Sequence, residues 1–116
     1  MDNNQQFWAH LEKLVSTSEV ILDRPRGSHH PRYPTIIYPL DYGYLKNTRA
    51  GDGDGIDVWV GNGSEREITG IVCTVDLAQR DTEIKILLGC APDDIDIIAG
   101  FHSRGDQAAV VIRHPH

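Results

Sequence analysis

Three aspartates and two glycines lie close together in the segment Asp52-Gly-Asp54-Gly-Ile-Asp57, which runs directly into an apolar segment at residues 56–60. Carboxylates this close repel one another unless a cation or a proton lies between them. Mg²⁺ and Ca²⁺ take oxygen ligands of this kind, and the glycines allow a sharp turn around an ion. A solvated Asp-Gly hairpin turn explains the same residues without any function. This segment alone does not decide between a metal site and a turn.

Short apolar and β-branched segments along the rest of the chain have the character of strands. We expect strands at residues 19–22, 35–38, 56–60, 67–76 and 82–88, and a last strand or an extended tail at residues 108–112. Turns are expected at Tyr42-Gly43-Tyr44 and Gly61-Asn62-Gly63-Ser64. Alternation along residues 82–88 predicts that Glu83, Lys85 and Leu87 share one face. Five or six short strands with two helices favour a mostly β, α+β fold, a small OB-like closed five-stranded β-barrel with an N-terminal and a C-terminal helix packed outside.

Helical spacing of Phe7, Leu11, Leu14 and Val15 predicts an amphipathic helix over about residues 4–17, capped by Asn3 or Asn4. Its apolar stripe can pack on the rest of the domain or contact a partner subunit, which makes a homo-oligomer a possible assembly. Pro92 suits the first turn of a second helix, which Gly105 is placed to end.

The 116 residues and the net charge of −6 limit the classes of protein that the chain can belong to. We expect residues 1–116 to form a single domain. The acidic balance argues against nucleic-acid binding, which usually needs a basic face. The sequence shows no apolar run long enough to cross a membrane and no signal-peptide pattern, and Cys73 and Cys90 lie in apolar segments as reduced core residues do. We therefore expect a cytoplasmic protein that acts on a small molecule.

A second acidic pair, Asp76 and Asp81, lies like the first group at a junction between a loop and a strand. Strand ends converge in a small barrel, so both groups are expected to face one cavity, and two or more Mg²⁺ ions, or Mn²⁺ in their place, would balance the charge. The basic and phenolic groups available to bind an anionic substrate are Arg26, Arg32, Lys85, Arg104 and Tyr42. Acids, metal ions and basic groups together indicate phosphoryl transfer to water. Taken singly, each residue also has a structural explanation: an aspartate in a turn, a lysine at the surface or a tyrosine in the core.

The motifs resemble the signature of the soluble family I inorganic pyrophosphatases. The segments that carry the resemblance are Tyr38-Pro-x-x-Tyr42-Gly-Tyr44 with Thr48, Asp52-Gly-Asp54-x-x-Asp57-Val58, and Asp23-x-Pro25-Arg26-Gly27-Ser28, which is similar to the family's Glu-x-Pro-Lys-Gly-Ser. Asp76 and Asp81 reproduce the spacing of the family's second aspartate pair. The resemblance covers roughly residues 20–88 and implies hydrolysis of pyrophosphate.

The resemblance also implies a metal site. Asp52, Asp57 and Asp81 would coordinate the activating ion, and Asp57 would also reach a second ion through the attacking water or hydroxide. Asp76, together with Asp81, would hold a metal ion that arrives with the substrate.

Other roles implied by the resemblance belong to residues around these ions. Asp54 would take the proton from the nucleophile, Asp23 would be an outer-shell acid, and Tyr42 would contact phosphate or the water network. Lys85 is similar to the lysine that follows the second pair, although it comes two residues later than usual.

The chain departs from the family pattern at two places. The segment from Ser28 to Pro34 is compressed, so Arg32 could replace either of two basic residues, and no acid matches the glutamate of the family's Lys-x-Glu. Near the C-terminus the family has Tyr-Lys, where Arg104 could replace the lysine and the tyrosine has no counterpart. The first hypothesis is Mg²⁺-dependent hydrolysis of pyrophosphate. The alternatives are hydrolysis of another phosphoanhydride, such as a nucleotide, and a non-catalytic metal- or phosphate-binding module.

Overall fold

A computed structural model describes residues 1–63 and 66–115 of the chain. The elements in chain order are α1 (Asn3–Ser16), β1 (Val20–Arg24), β2 (Asp41–Leu45), β3 (Asp57–Val60), β4 (Ile68–Asp76), β5 (Asp81–Leu88), α2 (Pro92–Phe101) and β6 (Gln107–Arg113). The strands form one mixed sheet in the order β1-β2-β3-β5-β4-β6. Strands β3 and β5 are parallel and the other neighbours are antiparallel. The expected mostly β, α+β fold with two helices is confirmed.

The sheet is open, so the closed five-stranded OB-like barrel is not the observed architecture. Closure would require β1 to pair with the far edge of β4. The last strand, β6, occupies that edge, with seven residue pairs from Gly70↔Arg113 to Asp76↔Gln107. Within the described residues, β1 and β6 therefore each have a single neighbouring strand. The segment predicted as residues 108–112 is the sixth strand of this sheet.

Each face of the sheet is covered by one helix. On one face, Trp8, Leu11 and Leu14 of α1 pack against Val58 and Ile86. The apolar stripe of α1 thus contacts its own sheet, although Phe7 at its N-terminal end is partly exposed. The other face carries a second apolar cluster with α2, whose members are Tyr38, Leu40, Tyr42, Trp59, Val72, Leu87, Cys90, Ile95 and Ile98. The separation of Leu87 from Ile86 and Leu88 confirms the predicted alternation along β5.

The two helices begin close to their predicted starts. The cap of α1 is Asp2 and not Asn3 or Asn4: its carboxylate accepts from the Gln5 backbone N–H at 2.8 Å, and the Gln5 amide oxygen accepts from the Asp2 N–H at 3.0 Å. Such a reciprocal pair satisfies two backbone N–H donors at once. A cap at Asn3 or Asn4 would not form this pair with Gln5. Helix α2 starts at Pro92 as expected and ends at Phe101, before the predicted Gly105.

Two sequence-based expectations between β1 and β3 are wrong. Residues 35–38 do not form a strand, because prolines lie on both sides, and their only strand-like contact among the described residues is an isolated bridge between Ile37 and His29. The predicted turn at residues 42–44 lies inside β2. Gly43 allows the backbone of β1 to pass close to β2, because a Cβ atom at this position would lie 1.8 Å from the Ile21 carbonyl oxygen.

Other expectations concern the membrane, the cysteines and one turn. Neither helix in the described part of the chain is long and apolar enough to span a bilayer. Both Cys73 and Cys90 are free thiols, and Cys90 is buried. Of the predicted turn at residues 61–64, Ser64 lies outside the described residues, and Gly61 to Gly63 follow the end of β3 without forming a strand or helix.

Candidate active site

Four side chains from three strands meet around one ammonium group and are here called the Lys85 cluster: Tyr42, Asp57, Glu83 and Lys85. The Lys85 Nζ donates to the Tyr42 hydroxyl at 2.9 Å, to Asp57 Oδ2 at 2.8 Å and to Glu83 Oε2 at 2.8 Å. These three contacts use all three donors of an ammonium group. One positive charge thus holds two carboxylates and a phenol together.

The register of the sheet explains why these four side chains meet. Val58 pairs with Ile86 in the parallel β3–β5 ladder, so Asp57 begins β3 beside Lys85. Glu83 lies two residues before Lys85, and side chains at this spacing share a face of a strand. Tyr42 lies one strand further, opposite Trp59 of β3.

Lys85 is almost completely removed from water, with 7 % of its side chain exposed. Burial by itself would lower the pKa of the ammonium, but the contacts with Tyr42, Asp57 and Glu83 outweigh it, and the net pKa of Lys85 is raised. Burial likewise raises the pKa of Tyr42, against the opposing effect of Lys85. The lysine is therefore charged and the phenol protonated at neutral pH.

A second buried polar contact lies behind the cluster. The Trp59 indole Nε1–H donates to His102 Nε2 at 3.0 Å, and His102 Nδ1 lies 3.4 Å from the Gln107 side-chain oxygen. An indole is only a donor, so Nε2 must carry the lone pair and the imidazole is neutral with its proton on Nδ1. Burial, with the charge of Lys85 nearby, lowers the pKa of His102 to about 4.

Arg24 brings another positive charge next to the cluster. It pairs with Tyr42 across the β1–β2 ladder, so the two side chains share a face of the sheet. Its guanidinium donates to the Tyr38 hydroxyl and lies 5.5 Å from the centre of the Tyr38 ring. The Tyr38 ring in turn lies 5.2 Å from that of Tyr42. Arg24 is thus connected to Lys85 through the contacts between Tyr38 and Tyr42.

A cavity of about 690 Å³ lies mainly against the face of the sheet covered by α1, where Leu11, Ile84 and Ile86 line it. Asp57 and Glu83 line it, together with Arg49 and Asp52 from the loop between β2 and β3. Asp52 is exposed, and its Oδ1 accepts from the Asp54 backbone N–H at 3.0 Å. The predicted group of three aspartates is therefore divided. Asp52 and Asp54 form a turn in the loop, and Asp57 contacts Lys85.

The pair Asp76 and Asp81 lies at the far end of the β4–β5 hairpin. The two residues face each other across the ladder. Asp76 Oδ1 accepts from the backbone N–H groups of Ala78 and Gln79 at 2.9 and 3.0 Å, so this carboxylate stabilises the hairpin turn. Asp81 is exposed and lies four residues before Lys85, about 13 Å along an extended strand. The structure does not bring this pair into the Lys85 cluster.

The other predicted basic and acidic residues are exposed at the surface. The Arg26 backbone N–H donates to Asp41 Oδ1 at 2.8 Å. Arg32 lies over the Tyr33 ring, and Arg104 lies over Phe101 and donates to its carbonyl oxygen at 3.2 Å. Asp23 is exposed on β1, next to Arg24. None of these four predicted residues contacts the Lys85 cluster.

The side chains around the cluster offer few ligands for a divalent cation. Residues 1–63 and 66–115 contain no group of three or more His, Cys, Asp or Glu side chains arranged to hold a metal ion. Two carboxylates do converge, because Asp57 and Glu83 both contact the Lys85 ammonium, which is a cation in the position an ion would need. Mg²⁺ is commonly bound through one or two carboxylates, with water and substrate oxygens as its other ligands. Asp57 and Glu83 are the two carboxylates that could hold such an ion if it took the place of the ammonium.

Two residues of this site were missed by the sequence analysis as members of a site. Glu83 was recognised only as sharing a face with Lys85. The sequence did contain a signal, because Lys85 comes two residues later than the family's lysine does after the second aspartate pair. With Lys85 fixed, the acid with the usual spacing before it is Glu83 and not Asp81. Arg24 gave no local signal, because its neighbours Tyr38 and Tyr42 come from other parts of the chain.

Comparison with known protein families identifies the family to which this chain belongs. Residues 10–78, more than half of the chain, match the family model of inorganic pyrophosphatases. The chain belongs to the inorganic pyrophosphatase family. As a member it is an inorganic diphosphatase, which confirms the resemblance seen in the sequence motifs. No curated protein matches the chain.

The part of the chain that matches the inorganic pyrophosphatase family ends just after β4, so it includes Tyr42 and Asp57 but not Glu83 or Lys85. A crystal structure of an inorganic phosphatase from Anaplasma phagocytophilum is similar to this chain, with a TM-score of 0.55 and 20% sequence identity over 81% of each chain. At this identity the similarity concerns the fold, and it extends beyond the residues that match the family.

Proposed function

We propose that the chain hydrolyses inorganic pyrophosphate to two phosphates in a Mg²⁺-dependent reaction centred on the Lys85 cluster. The observation that carries the proposal is the convergence of Asp57, Glu83 and Tyr42 on one buried ammonium, in a member of the inorganic pyrophosphatase family. Such a site combines carboxylates for a cation with a positive charge for phosphate. Both are needed for phosphoryl transfer to water.

Asp57 and Glu83 are the proposed ligands of the divalent cation. Their side chains are 31 and 26 % exposed, so the carboxylates are open to an ion from solvent while Lys85 is not. When bound, a divalent cation would lower the pKa of a water ligand and draw charge from phosphoryl oxygens. Asp52 lies in the loop before β3 and, like Asp57 and Glu83, is among the residues that line the cavity.

Lys85, Tyr42 and Arg24 are the proposed contacts of the substrate. A charged lysine and a protonated phenol both donate hydrogen bonds, and phosphate oxygens accept them. The three donors of Lys85 are all in use, so binding a phosphate oxygen requires the ammonium to exchange one of its carboxylate contacts. Neutralising Asp57 and Glu83 with a cation favours that exchange, because the attraction between the carboxylates and Lys85 becomes weaker.

The remaining roles stay predictions. Asp54 is the expected proton acceptor and lies exposed in the loop before β3. Asp76 and Asp81 are the expected ligands of an ion that arrives with the substrate, and Arg26, Arg32 and Arg104 are expected substrate contacts. None of the six contacts the Lys85 cluster directly, so each of these roles needs the substrate or an ion to connect the residue to the cluster. A cytoplasmic location remains part of the proposal.

The test is release of phosphate from a panel of substrates with Mg²⁺, by the wild type, Asp57→Asn and the matched control Asp96→Asn, which changes an exposed aspartate on α2. We expect pyrophosphate to be the fastest substrate, with a loss of at least about a hundredfold in Asp57→Asn and no loss in Asp96→Asn. Faster turnover of a nucleoside triphosphate would assign a different substrate. Metal binding without turnover of any substrate would instead indicate the non-catalytic module.

A further inference from the structure

The Tyr42 side chain reaches the Lys85 cluster from a group of packed aromatic rings. Its own ring is buried, 4.7 Å from the Trp59 ring in an edge-to-face contact and 5.2 Å from the Tyr38 ring. The hydroxyl lies at the end of a rigid ring, so the packing of that ring decides where the hydroxyl lies. The rings that contact Tyr42 therefore set the position of a proposed substrate contact.

Trp59 is the closer of these two rings and is completely buried. It also contacts the rings of Tyr38 and Phe101, at 5.9 and 5.3 Å. Apolar contacts of this kind are not directional, so they do not by themselves select one rotation of the indole. The indole N–H does select one, because it donates to His102 Nε2 at 3.0 Å and a hydrogen bond needs its donor aimed at the acceptor.

His102 is itself held in place without help from the Lys85 cluster. It follows α2 directly, it is buried, and its backbone N–H donates to the Ile98 carbonyl oxygen at 3.1 Å. The other ring nitrogen, Nδ1, lies 3.4 Å from the Gln107 side-chain oxygen, so the imidazole has a polar partner on both sides. Within the described residues it makes no hydrogen bond to the cluster. The contacts that connect His102 with the cluster run through Trp59.

We propose that His102 is a positioning residue for the reaction, which holds Trp59 so that the Tyr42 hydroxyl lies within reach of both Lys85 and the substrate. The inference rests on the proposed hydrolysis of pyrophosphate and on Tyr42 as a contact of the substrate. His102 does not contact the substrate or the cation itself. A buried donor–acceptor pair adds little net stability compared with an apolar pair of the same shape, but it permits a single orientation of the indole.

A displaced Tyr42 hydroxyl would weaken a hydrogen bond to a charged phosphate oxygen. This contact is present both in the bound substrate and in the transition state, so its loss raises KM and leaves kcat nearly unchanged. One hydrogen bond to a charged group corresponds to about a tenfold change in affinity. A merely structural role of His102 would lower stability without this pattern in the kinetic constants.

The test compares hydrolysis of pyrophosphate by the wild type, His102→Leu and His102→Gln. Leucine fills much of the site but offers no acceptor to Trp59, whereas the glutamine side-chain oxygen can accept from the indole N–H. We expect His102→Leu to raise KM for pyrophosphate at least about tenfold, with kcat within about twofold of the wild type. His102→Gln should restore KM to within about threefold.

Ile98→Val is the matched control, because Ile98 is buried in the same apolar cluster and the substitution weakens packing without removing a hydrogen-bond partner. We expect a lower unfolding midpoint and an unchanged KM. An equal rise in KM in Ile98→Val and His102→Leu would assign the effect to packing and overturn the proposal. If His102→Leu does not fold, Trp59→Phe removes the donor and keeps a ring, and an unchanged KM in that variant overturns the proposal as well.

A double-mutant cycle with Tyr42→Phe tests the route from His102 to the substrate. If His102 acts through the Tyr42 hydroxyl, His102→Leu should change KM by less than about twofold once that hydroxyl is absent. Fully additive effects of the two substitutions would contradict this route. An unchanged KM in Tyr42→Phe alone would contradict it too, because the hydroxyl would then not be a contact of the substrate.

Binding of a pyrophosphate analogue separates this inference from the proposed function. The affinity of the wild type and of His102→Leu for imidodiphosphate, which has a nitrogen bridge, is measured with Mg²⁺ by calorimetry. We expect binding at least about tenfold weaker in His102→Leu. A wild type that binds the analogue without hydrolysing pyrophosphate overturns the proposed function alone. Equal affinities of the two proteins overturn the inference alone, and no binding by the wild type overturns both.

Discussion

Lys85 holds a positive charge where little water reaches it, and this single residue connects the stability of the domain to its chemistry. Replacing it by methionine keeps much of the apolar stem but leaves the Asp57 and Glu83 carboxylates facing each other and removes a hydrogen bond from Tyr42. Both carboxylates are partly exposed, so the loss is smaller than for a fully buried pair. We expect Lys85→Met to lower the free energy of unfolding in urea by about 2 kcal/mol without added metal.

The control for this substitution is Lys46→Met, because Lys46 makes an exposed ion pair with Glu19 at 3.9 Å. Exposed pairs contribute little, so its free energy of unfolding should stay within about 0.5 kcal/mol of the wild type. Mg²⁺ should raise the melting temperature of Lys85→Met more than that of the wild type, since the two carboxylates then have no competing cation. Equal responses of the two variants to urea and to Mg²⁺ would show that Lys85 does not hold the carboxylates.

At the scale of elements, α2 is connected to the sheet through His102 at its C-terminal end. The Trp59 indole needs the lone pair on His102 Nε2, so protonating this nitrogen breaks the contact. The pKa of His102 is about 4 in the folded chain, against an unfolded value of about 6.5. A depressed pKa contributes stability above the unfolded value, which is lost as the pH falls from about 6.5 to 4.

We therefore expect the free energy of unfolding to fall by about 2 kcal/mol between pH 7 and pH 5 through this residue. The measurement is urea unfolding at both pH values for the wild type and His102→Gln, where the glutamine cannot titrate. His10→Gln, at an exposed position on α1, is the control and should keep the wild-type dependence. If His102→Gln shows the same pH dependence as the wild type, other groups cause it.

The elements were largely predictable because their signals are local. Periodic apolar residues gave α1, the start of α2 and five of the six strands to within two residues. The errors came from contacts between distant residues. Gly43 was interpreted as a turn residue, although it lies within β2 because the backbone of β1 passes directly against it. The strand expected at residues 35–38 has suitable residue types, but no neighbouring strand pairs with it beyond a single bridge.

At the scale of the whole molecule, strand order determines which acids meet. The sequence contains two aspartate groups, and a closed barrel would have brought both to one cavity. In the open sheet, the parallel β3–β5 register puts Asp57 beside Lys85 and Glu83, while Asp76 and Asp81 lie at the tip of the hairpin. Strand register is not visible in one sequence, so the aspartates and the lysine were identified by their motifs, and the only signal for Glu83 was its spacing from Lys85.

The central claim is that Asp57 and Glu83 form the cation site of a pyrophosphate-cleaving centre. The most direct measurement is phosphate release from pyrophosphate, titrated with Mg²⁺, for the wild type, Glu83→Gln and Asp81→Asn. Both variants remove one carboxylate charge from β5, two residues apart. We expect no hydrolysis without Mg²⁺, a loss of at least about tenfold in apparent Mg²⁺ affinity for Glu83→Gln, and a smaller change for Asp81→Asn. A large loss in Asp81→Asn with full activity in Glu83→Gln would contradict the claim.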